Sequence, residues 1–500
     1  MLAVASPMGA AARNSLSRTP PMGWMSWEVF RCDIDCSKDA GSCISEWLYR
    51  NQTDELFKGG YVEAGYRGIH IDDCWMKKDN ASGAAWRADP DRFPSGMEAL
   101  GEYMHERGLA FGLYTAESPT TCAAYPASKG WERQHAALFA QWGVDYMKVD
   151  GCGDPKYYEE GYKAMGAALE ASGRQIEYSC SWPAYIGDDE STKPFSKFIM
   201  SGCNSWRNWA DIDCNWGSLS GIIDHWGDFG AVLAPFAGPG HWHDMDMLLA
   251  GANCISLEEE KTQLALWSIS ASPMIMGNDL RKVPAASREL LLNPNMIAVS
   301  QDPLGQMGVR LPNFTSKSPQ QIWARNLVNG DVAVGLYNKL GKTGRAELGA
   351  APCPSWHELR GGRRLEACGG GGGDFLLRRF SREAVSAMDL GEVRRACCED
   401  PLCAGFTLSA PGQRPAYDAR AAMGCATPPL GDGAADITVT FADLNLFGKV
   451  VVFDIWANKF LGEFADAFTA RRVPLHGTAF LRMSPVAPPT GSRGPAPVVV

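Results

Sequence analysis

"WERQHAALFAQWGVDYMKVDG", residues 131–151, joins two periodicities end to end. Trp131, His135, Leu138 and Trp142 recur at helical spacing, and the pattern stops at Gly143. A glycine just past a helix accepts the left-handed conformation that other residues resist, so it marks the turn into the next element. "VDYMKVDG" (144–151) then reads as a short strand whose far end carries Lys148 and Asp150. The same pattern recurs on both sides. "YRGIHIDDCW" (66–75) is a strand ending in two acids. "MEALGEYMHERG" (97–108) puts Met97, Leu100 and Met104 on one helical face and stops at Gly108. "LAFGLYTA" (109–116) is the next strand. "YYEEGYKAMGAALEASG" (157–173) aligns Tyr158, Tyr162, Met165 and Leu169, and "QIEYSCSW" (175–182) is a strand again. Repeated strand–helix units mean a parallel sheet, and eight of them in about 280 residues predict a (β/α)8 TIM barrel. An open doubly wound sheet is the alternative, weakened by the lack of Gly-x-Gly-x-x-Gly after the first strand.

Beyond Pro303 the pattern changes. "QQIWARNL", "DVAVGLYN", "ADITVTFADL", "KVVVFDIW" and "TAFLRMS" alternate as strands do and predict an antiparallel β-sandwich. The expected organisation is an α/β barrel over 18–308 and an antiparallel β domain over 309–345 and 433–486. A cysteine-rich insert over 346–432 holds Cys353, Cys368, Cys397, Cys398, Cys403 and Cys425. The last stretch, 487–500, reads as a disordered tail.

The composition narrows the class. A formal net charge of −10 argues against nucleic acid and against anionic membranes as partners. No apolar run reaches the ~18 residues that a membrane span needs. Sixteen cysteines suggest disulfides and an oxidising compartment. The sequons at Asn51, Asn80 and Asn313 agree with that reading. The N-terminal "MLAVASPMGAAARNSLSRTPP" does not read as a signal peptide: it lacks a basic start and its apolar stretch breaks at Pro7. A lysosomal or secreted location is therefore inferred from the cysteines and sequons. Seventeen tryptophans suit a core, and some suit stacking on sugar faces.

Polar residues gather at the ends of the expected strands: Asp72 and Asp73, Tyr114, Lys148 and Asp150, then "WRNWADID" (206–213) and "GPGHWHDMDM" (238–247). In a barrel these ends converge on one face, where catalysis sits. Lys148 and Asp150 are two apart on a strand and so share a face. A nearby ammonium favours the carboxylate form of Asp150 and keeps it a competent nucleophile. Asp211, four residues after Arg207, is the candidate acid. Glycoside hydrolysis needs such a pair, and about 5–5.5 Å between the two carboxyls means retention of configuration. The plainer readings stand beside these: a structural Lys148–Asp150 ion pair, a surface Arg207–Asp211 bridge, and Asp72 and Asp73 as helix caps. His241-Trp-His243-Asp244 has the His-x-His spacing of some metal-dependent hydrolases, but the chain has only eight histidines. We expect no metal and no cofactor.

Seven stretches occur in one order: "RTPPMGWMSWEVFRCDIDC", "IDDCW", "YMKVDGC", "YSCSWPAY", "WRNWADID", "GPGHWHDMDML" and "VSQDPLGQMG". Together they resemble glycoside hydrolase family 27, which comprises α-galactosidases and α-N-acetylgalactosaminidases, over about residues 18–310. The resemblance implies a barrel followed by an antiparallel β domain, and a retaining double displacement with Asp150 as nucleophile and Asp211 as acid/base. It implies sugar contacts from Trp27, Asp72, Asp73, Tyr114, Lys148, Tyr185, Arg207, Asp246 and Met247. It also implies the disulfides Cys32–Cys74, Cys36–Cys43, Cys122–Cys152 and Cys180–Cys203, and assigns no partner to Cys214 and Cys254, which pair together or stay free. His243 and Met245 depart from the family's usual Asn and Pro, and the six-cysteine insert is foreign to its usual second domain.

Within that resemblance "YSCSWPAY" (178–185) carries the specificity. Galactose-specific members resemble "CEWPLY"; members that accept N-acetylgalactosamine resemble "CSWPAY". Ser181 and Ala184 would leave room for an acetamido group. The expected function is a retaining exo-glycosidase that releases terminal α-linked N-acetylgalactosamine, and more weakly α-galactose, from a glycoconjugate or oligosaccharide. An α-galactosidase proper and an inactive carbohydrate-binding protein are the alternatives. A homodimer is the oligomeric state considered.

Overall fold

The computed structural model describes residues 14–79, 85–340 and 433–486, and the backbone of three short strands between 356 and 409. Eight parallel strands form the first sheet: β1 Met22–Met25, β2 Gly68–His70, β3 Ala110–Ala116, β4 Tyr146–Asp150, β5 Glu177–Cys180, β6 Ser205–Arg207, β7 Trp242–Asp244 and β8 Met274–Met276. Their order is β7-β6-β5-β4-β3-β2-β1-β8. The ring closes just past β7. There Leu248 bridges Met276 in parallel, its N–H donating to Ile275 at 2.7 Å and its carbonyl accepting from Gly277 at 2.9 Å. This is the TIM barrel that the repeated units predict.

Glycine stops end the helices where expected: Gly108, Gly143 and Gly173 all have positive φ. Met97, Leu100 and Met104 are buried, as are Tyr158, Tyr162, Met165 and Leu169. The helix of the opening stretch is offset from its expected face. It runs Glu132–Gln141, Trp131 lies outside it and is exposed, and the buried side is His135, Ala136 and Phe139. His135 stacks on Trp86 at 4.1 Å, so an aromatic brought from an earlier loop decides which face turns inward. Inside the barrel, Gly112 exists for the His70 ring: a Cβ at Gly112 would lie 2.0 Å from His70 Nδ1.

The β domain follows directly. β9 Val309–Arg310, β10 Gln320–Asn326 and β11 Val332–Asn338 lead into it. β12 Trp356–Leu359, β13 Arg363–Ala367 and β14 Phe406–Ser409 make a separate antiparallel sheet within the expected insert. β15 Ala435–Thr440, β16 Lys449–Asp454, β17 Lys459–Ala465, β18 Ala467–Val473 and β19 Thr478–Pro485 complete it. The six-stranded sheet β17-β16-β19-β11-β10-β9 packs on the β15-β18 pair. β11 is buried on both faces by period-2 alternation. Val332, Val334 and Leu336 enter the sandwich core, while Ala333 and Tyr337 join the core shared with the barrel. The six cysteines of the insert and the tail lie outside the described residues.

The two described sequons sit in opposite settings. Asn51 is inside helix Glu46–Lys58, donates to the Trp47 carbonyl at 2.7 Å, and its Thr53 is fully buried. Asn313 and Thr315 are exposed in the turn between β9 and β10. Expressed through a glycosylating secretory pathway, the folded protein is expected to carry glycan at Asn313 and none at Asn51. Peptide mass spectrometry after enzymatic deglycosylation reads both positions, and a glycan on Asn51 would contradict the expectation.

Candidate active site

The carboxyl-terminal ends of the strands bring the sequence-predicted residues into one cleft. Asp150 closes β4 and is held from three sides. Tyr185 donates to Oδ1 at 2.7 Å, the Gly151 N–H donates to the same oxygen at 2.8 Å, and Tyr114 donates to Oδ2 at 2.9 Å. Two residues earlier, on the same face, the buried Lys148 ammonium donates to Asp72 Oδ2 at 2.7 Å. Burial works against the Lys148 charge, but the Asp72 and Asp150 carboxylates more than offset it and hold the ammonium above its ordinary value. Lys148 is thus paired with Asp72 rather than Asp150, and a simple Lys148–Asp150 ion pair is not what the strand builds.

Asp72 and Asp73 lie just past β2 and cap no helix. Asp73 Oδ1 accepts from the Cys74 N–H at 2.6 Å and Oδ2 from the Ala123 N–H at 3.1 Å. Burial pushes the Asp73 carboxyl up to about 6 despite these donors. Both acids are therefore buried with fixed rotamers just past β2.

Arg207, at the end of β6, is buried and organises the opposite wall. Its Nη2 lies 2.9 Å from Asp246 Oδ2 and 3.1 Å from Asp211 Oδ1, and it donates to the Ala210 carbonyl at 2.9 Å. The Arg207–Asp211 pair is thus part of a network rather than a lone surface bridge. Asp211 itself is open, with its side chain 77% exposed. The Arg207 charge holds its carboxyl below the usual range. Asp211 and Asp150 both act electrostatically on Arg207 and on the Tyr185 hydroxyl. Asp246 adopts φ +77° and accepts from Ile212 N–H at 2.7 Å, tying the β7 loop to the loop of Asp211. Met247 follows it, buried, and lines the floor with Met25, Tyr146, Lys148 and Ser179. Trp27 opens the short helix after β1, with Arg31 5.7 Å from its ring.

Ser181 caps the 3-10 turn Trp182–Tyr185, directly after β5, and Ala184 lies within it. Ser181 is buried and Ala184 half-buried. The same turn delivers Tyr185 to Asp150.

The five disulfides among the described residues pin the loops of this face. The pairs Cys32–Cys74, Cys36–Cys43, Cys122–Cys152 and Cys180–Cys203 are present, and Cys214 is bonded to Cys254. Cys122 and Cys152 also touch the site: Cys122 Sγ lies 3.4 Å from the Tyr185 hydroxyl, and Cys152 Sγ lies 3.7 Å from that of Tyr114. Among the described residues, the His/Cys/Asp/Glu group close enough to hold an ion is Cys122, Asp150 and Cys152. Its two sulfurs are bonded to each other, which leaves no thiolate for a metal.

The His-x-His pair faces away from the cleft. His243 Nδ1 accepts from Trp206 Nε1 at 2.9 Å, so the proton is on Nε2, which donates to the Leu233 carbonyl at 2.9 Å. Burial lowers His243 to about 4 and keeps it neutral. His241 Nδ1 lies 2.9 Å from the Phe236 carbonyl. These rings tie β7 to the surrounding helices. The departures from the family pattern at 243 and 245 leave Asp246 in contact with Arg207.

Two groups near the site escaped the sequence reading. Ser26 Oγ accepts from the Asp72 N–H at 3.2 Å and from the Tyr49 hydroxyl at 3.0 Å. Glu28 is buried beside Arg31, and burial pushes its carboxyl up to about 8. The partners of Ser26 come from other elements, whereas Glu28 meets Arg31 three residues on, a local pair that by itself marks no site.

Comparison with known proteins agrees with this geometry. The family described as alpha galactosidase A matches residues 19–302. The α-N-acetylgalactosaminidase of Gallus gallus is 44% identical over 60% of this chain and 74% of its own length. The alpha-galactosidase A of Homo sapiens is 41% identical over 67% of this chain and 77% of its own. Among solved structures, alpha-galactosidase I from Mortierella vinacea superposes with a TM-score of 0.68 at 25% identity, covering 95% of this chain and 99% of that one.

Proposed function

The chain belongs to the alpha galactosidase A family of glycoside hydrolases, and we propose that within it the protein is a retaining exo-α-N-acetylgalactosaminidase with weaker action on α-galactosides. One observation carries the reading. The turn that hands Tyr185 to Asp150 carries two small side chains, Ser181 at its start and Ala184 within it. A substituent on the sugar carbon beside the anomeric centre would approach this turn, where Glu and Leu in place of Ser181 and Ala184 would take up more room.

The reaction then follows from the fixed groups. Asp150 attacks the anomeric carbon while the bond to the aglycone oxygen breaks, and Asp211 gives that oxygen its proton. In the second step Asp211, now a carboxylate, takes a proton from water as the water oxygen replaces Asp150. Tyr114, Tyr185 and the Gly151 N–H hold Asp150 in one rotamer, so attack needs little reordering. Lys148, Asp72, Asp73, Arg207 and Asp246 supply donors and acceptors for the sugar hydroxyls. The disulfides support an oxidising compartment, lysosomal or secreted, and no helix among the described residues is long and apolar enough to cross a membrane.

The test compares the p-nitrophenyl α-N-acetylgalactosaminide with the α-galactoside. The former is expected to turn over much faster, and the reverse preference would assign an α-galactosidase instead. Ser181→Glu with Ala184→Leu should invert the order. Filling or emptying one such subsite changes discrimination by about 1–3 kcal/mol, or roughly 10–200-fold in the ratio of kcat/KM values.

A further inference from the structure

Among the described residues, Arg207 is the side chain that bonds the Asp211 carboxyl, yet an acid/base must meet one oxygen of the substrate within a few tenths of an ångström. Its position is set by its neighbours. Arg207 holds the Ala210 carbonyl, and Ile212 donates to Asp246. Between these, Asn208 and Trp209 are fixed by a buried cluster outside the cleft.

Glu190 is the centre of that cluster. It opens the 3-10 turn Glu190–Thr192, and its side chain and that of Lys193 are 0% exposed. Glu190 Oε1 lies 2.8 Å from both Lys193 Nζ and His225 Nε2. Its Oε2 accepts from Asn208 Nδ2 at 3.1 Å. Lys193 also donates to the Asn208 carbonyl at 2.6 Å. His225, on helix Trp216–Leu233, stacks flat against Trp209 with centroids 4.3 Å apart and planes 2° from parallel. Burial pushes the Glu190 carboxyl up, but the donors from His225, Lys193 and Asn208 outweigh it and keep it below its ordinary value. A buried ion pair is poor value as a stabiliser, since an apolar replacement is often as stable. Every member here is instead aimed at residues 208 and 209.

We propose that Glu190 is a positioning residue for the hydrolysis: a buried anion that ties the 190–192 turn, the 216–233 helix and the 208–211 loop together so that the Asp211 carboxyl meets the glycosidic oxygen. The inference rests on Asp211 being the acid/base. Loss of Glu190 then acts as partial loss of acid catalysis, which matters for a poor leaving group and little for one that departs unaided.

The test measures kcat/KM of Glu190→Gln on the methyl and the 2,4-dinitrophenyl α-N-acetylgalactosaminides. The loss on the methyl glycoside should exceed that on the dinitrophenyl glycoside by at least about tenfold, a displacement of the order that costs 10²-fold when a reacting group moves by 1 Å. His225→Phe keeps the stack on Trp209, removes one donor, and is expected to give a smaller split of the same sign. It decides the matter if Glu190→Gln does not fold. Equal losses on both substrates in the folded variants, or no loss, would overturn the proposal. Asp211→Asn is the control. If it shows the split and the Glu190 and His225 variants do not, Glu190 has no positioning role; if Asp211→Asn shows none, the acid/base reading falls and this inference with it.

Discussion

Asp150→Asn is expected to lower kcat/KM by on the order of 10⁴ or more, between the scale of general acid–base catalysis and that of removing a covalent nucleophile. The amide keeps the shape of the carboxylate, so the change isolates charge. Its Oδ1 can still accept from Tyr185 and the Gly151 N–H, and the Tyr114 hydroxyl can turn to accept from the new amide. Lys148 keeps its bond to Asp72, so no buried ammonium is stranded. The fold should survive, and a thermal melt should show a change of no more than a few degrees. What disappears is the anion that attacks the anomeric carbon. A mechanism-based fluorosugar should label Asp150 in the parent protein and leave the variant unlabelled. A variant with normal turnover, or a label on another residue, would remove Asp150 from the nucleophile's role.

The parts of this molecule that were legible in the sequence are those set by local rules. Glycine stops at 108, 143 and 173, with apolar spacing between them, were enough for the strand–helix repeat. A separation of two on a strand placed Lys148 and Asp150 on one face. Alternation marked β10, β11, β15, β16 and β19, but β17 and β18 escaped. Their exposed "KFLGEFA" and the "AFTARRV" that follows lack a clean buried period. What could not be read was decided by contacts between distant residues. Trp131 stays outside because the helix begins after it and Trp86 packs on Phe139 as well as His135, turning that side inward. The pairing of Cys214 with Cys254 needs the loops after β6 and β7 side by side. The His-x-His spacing is a weak metal signal in a chain with eight histidines, and what the sequence does not say is that Trp206 and Leu233 claim both nitrogens of His243. Glu190 and Lys193 carry no signal of their own in the sequence, and only helix 216–233 and Asn208 make them a buried network.

Asp211→Asn is expected to cost about 10²–10⁴ in kcat/KM on a substrate with a poor leaving group, the span of general acid catalysis, and far less on the dinitrophenyl glycoside. With that activated substrate the glycosyl-enzyme still forms but waits for water without a base. Both kcat and KM should then fall together, and added azide should restore turnover as a glycosyl azide of retained configuration. The same residue predicts a pH dependence. Asp211 must begin the reaction protonated, and in the free enzyme the Arg207 charge holds its carboxyl below the usual range, though its 77% exposure weakens that effect through solvent screening. The acid form is therefore present at low pH and lost as pH rises through that lowered value. Because kcat/KM reports the free enzyme, its limb on the alkaline side should lie in the acid range for a poor leaving group. Removing the carboxyl should abolish that limb: the residual kcat/KM of Asp211→Asn on the same poor leaving group should no longer decline there. A limb that persists in the variant would mean that another group carries the proton, and a mutant with equal losses on both leaving groups would take Asp211 out of the proton transfer altogether.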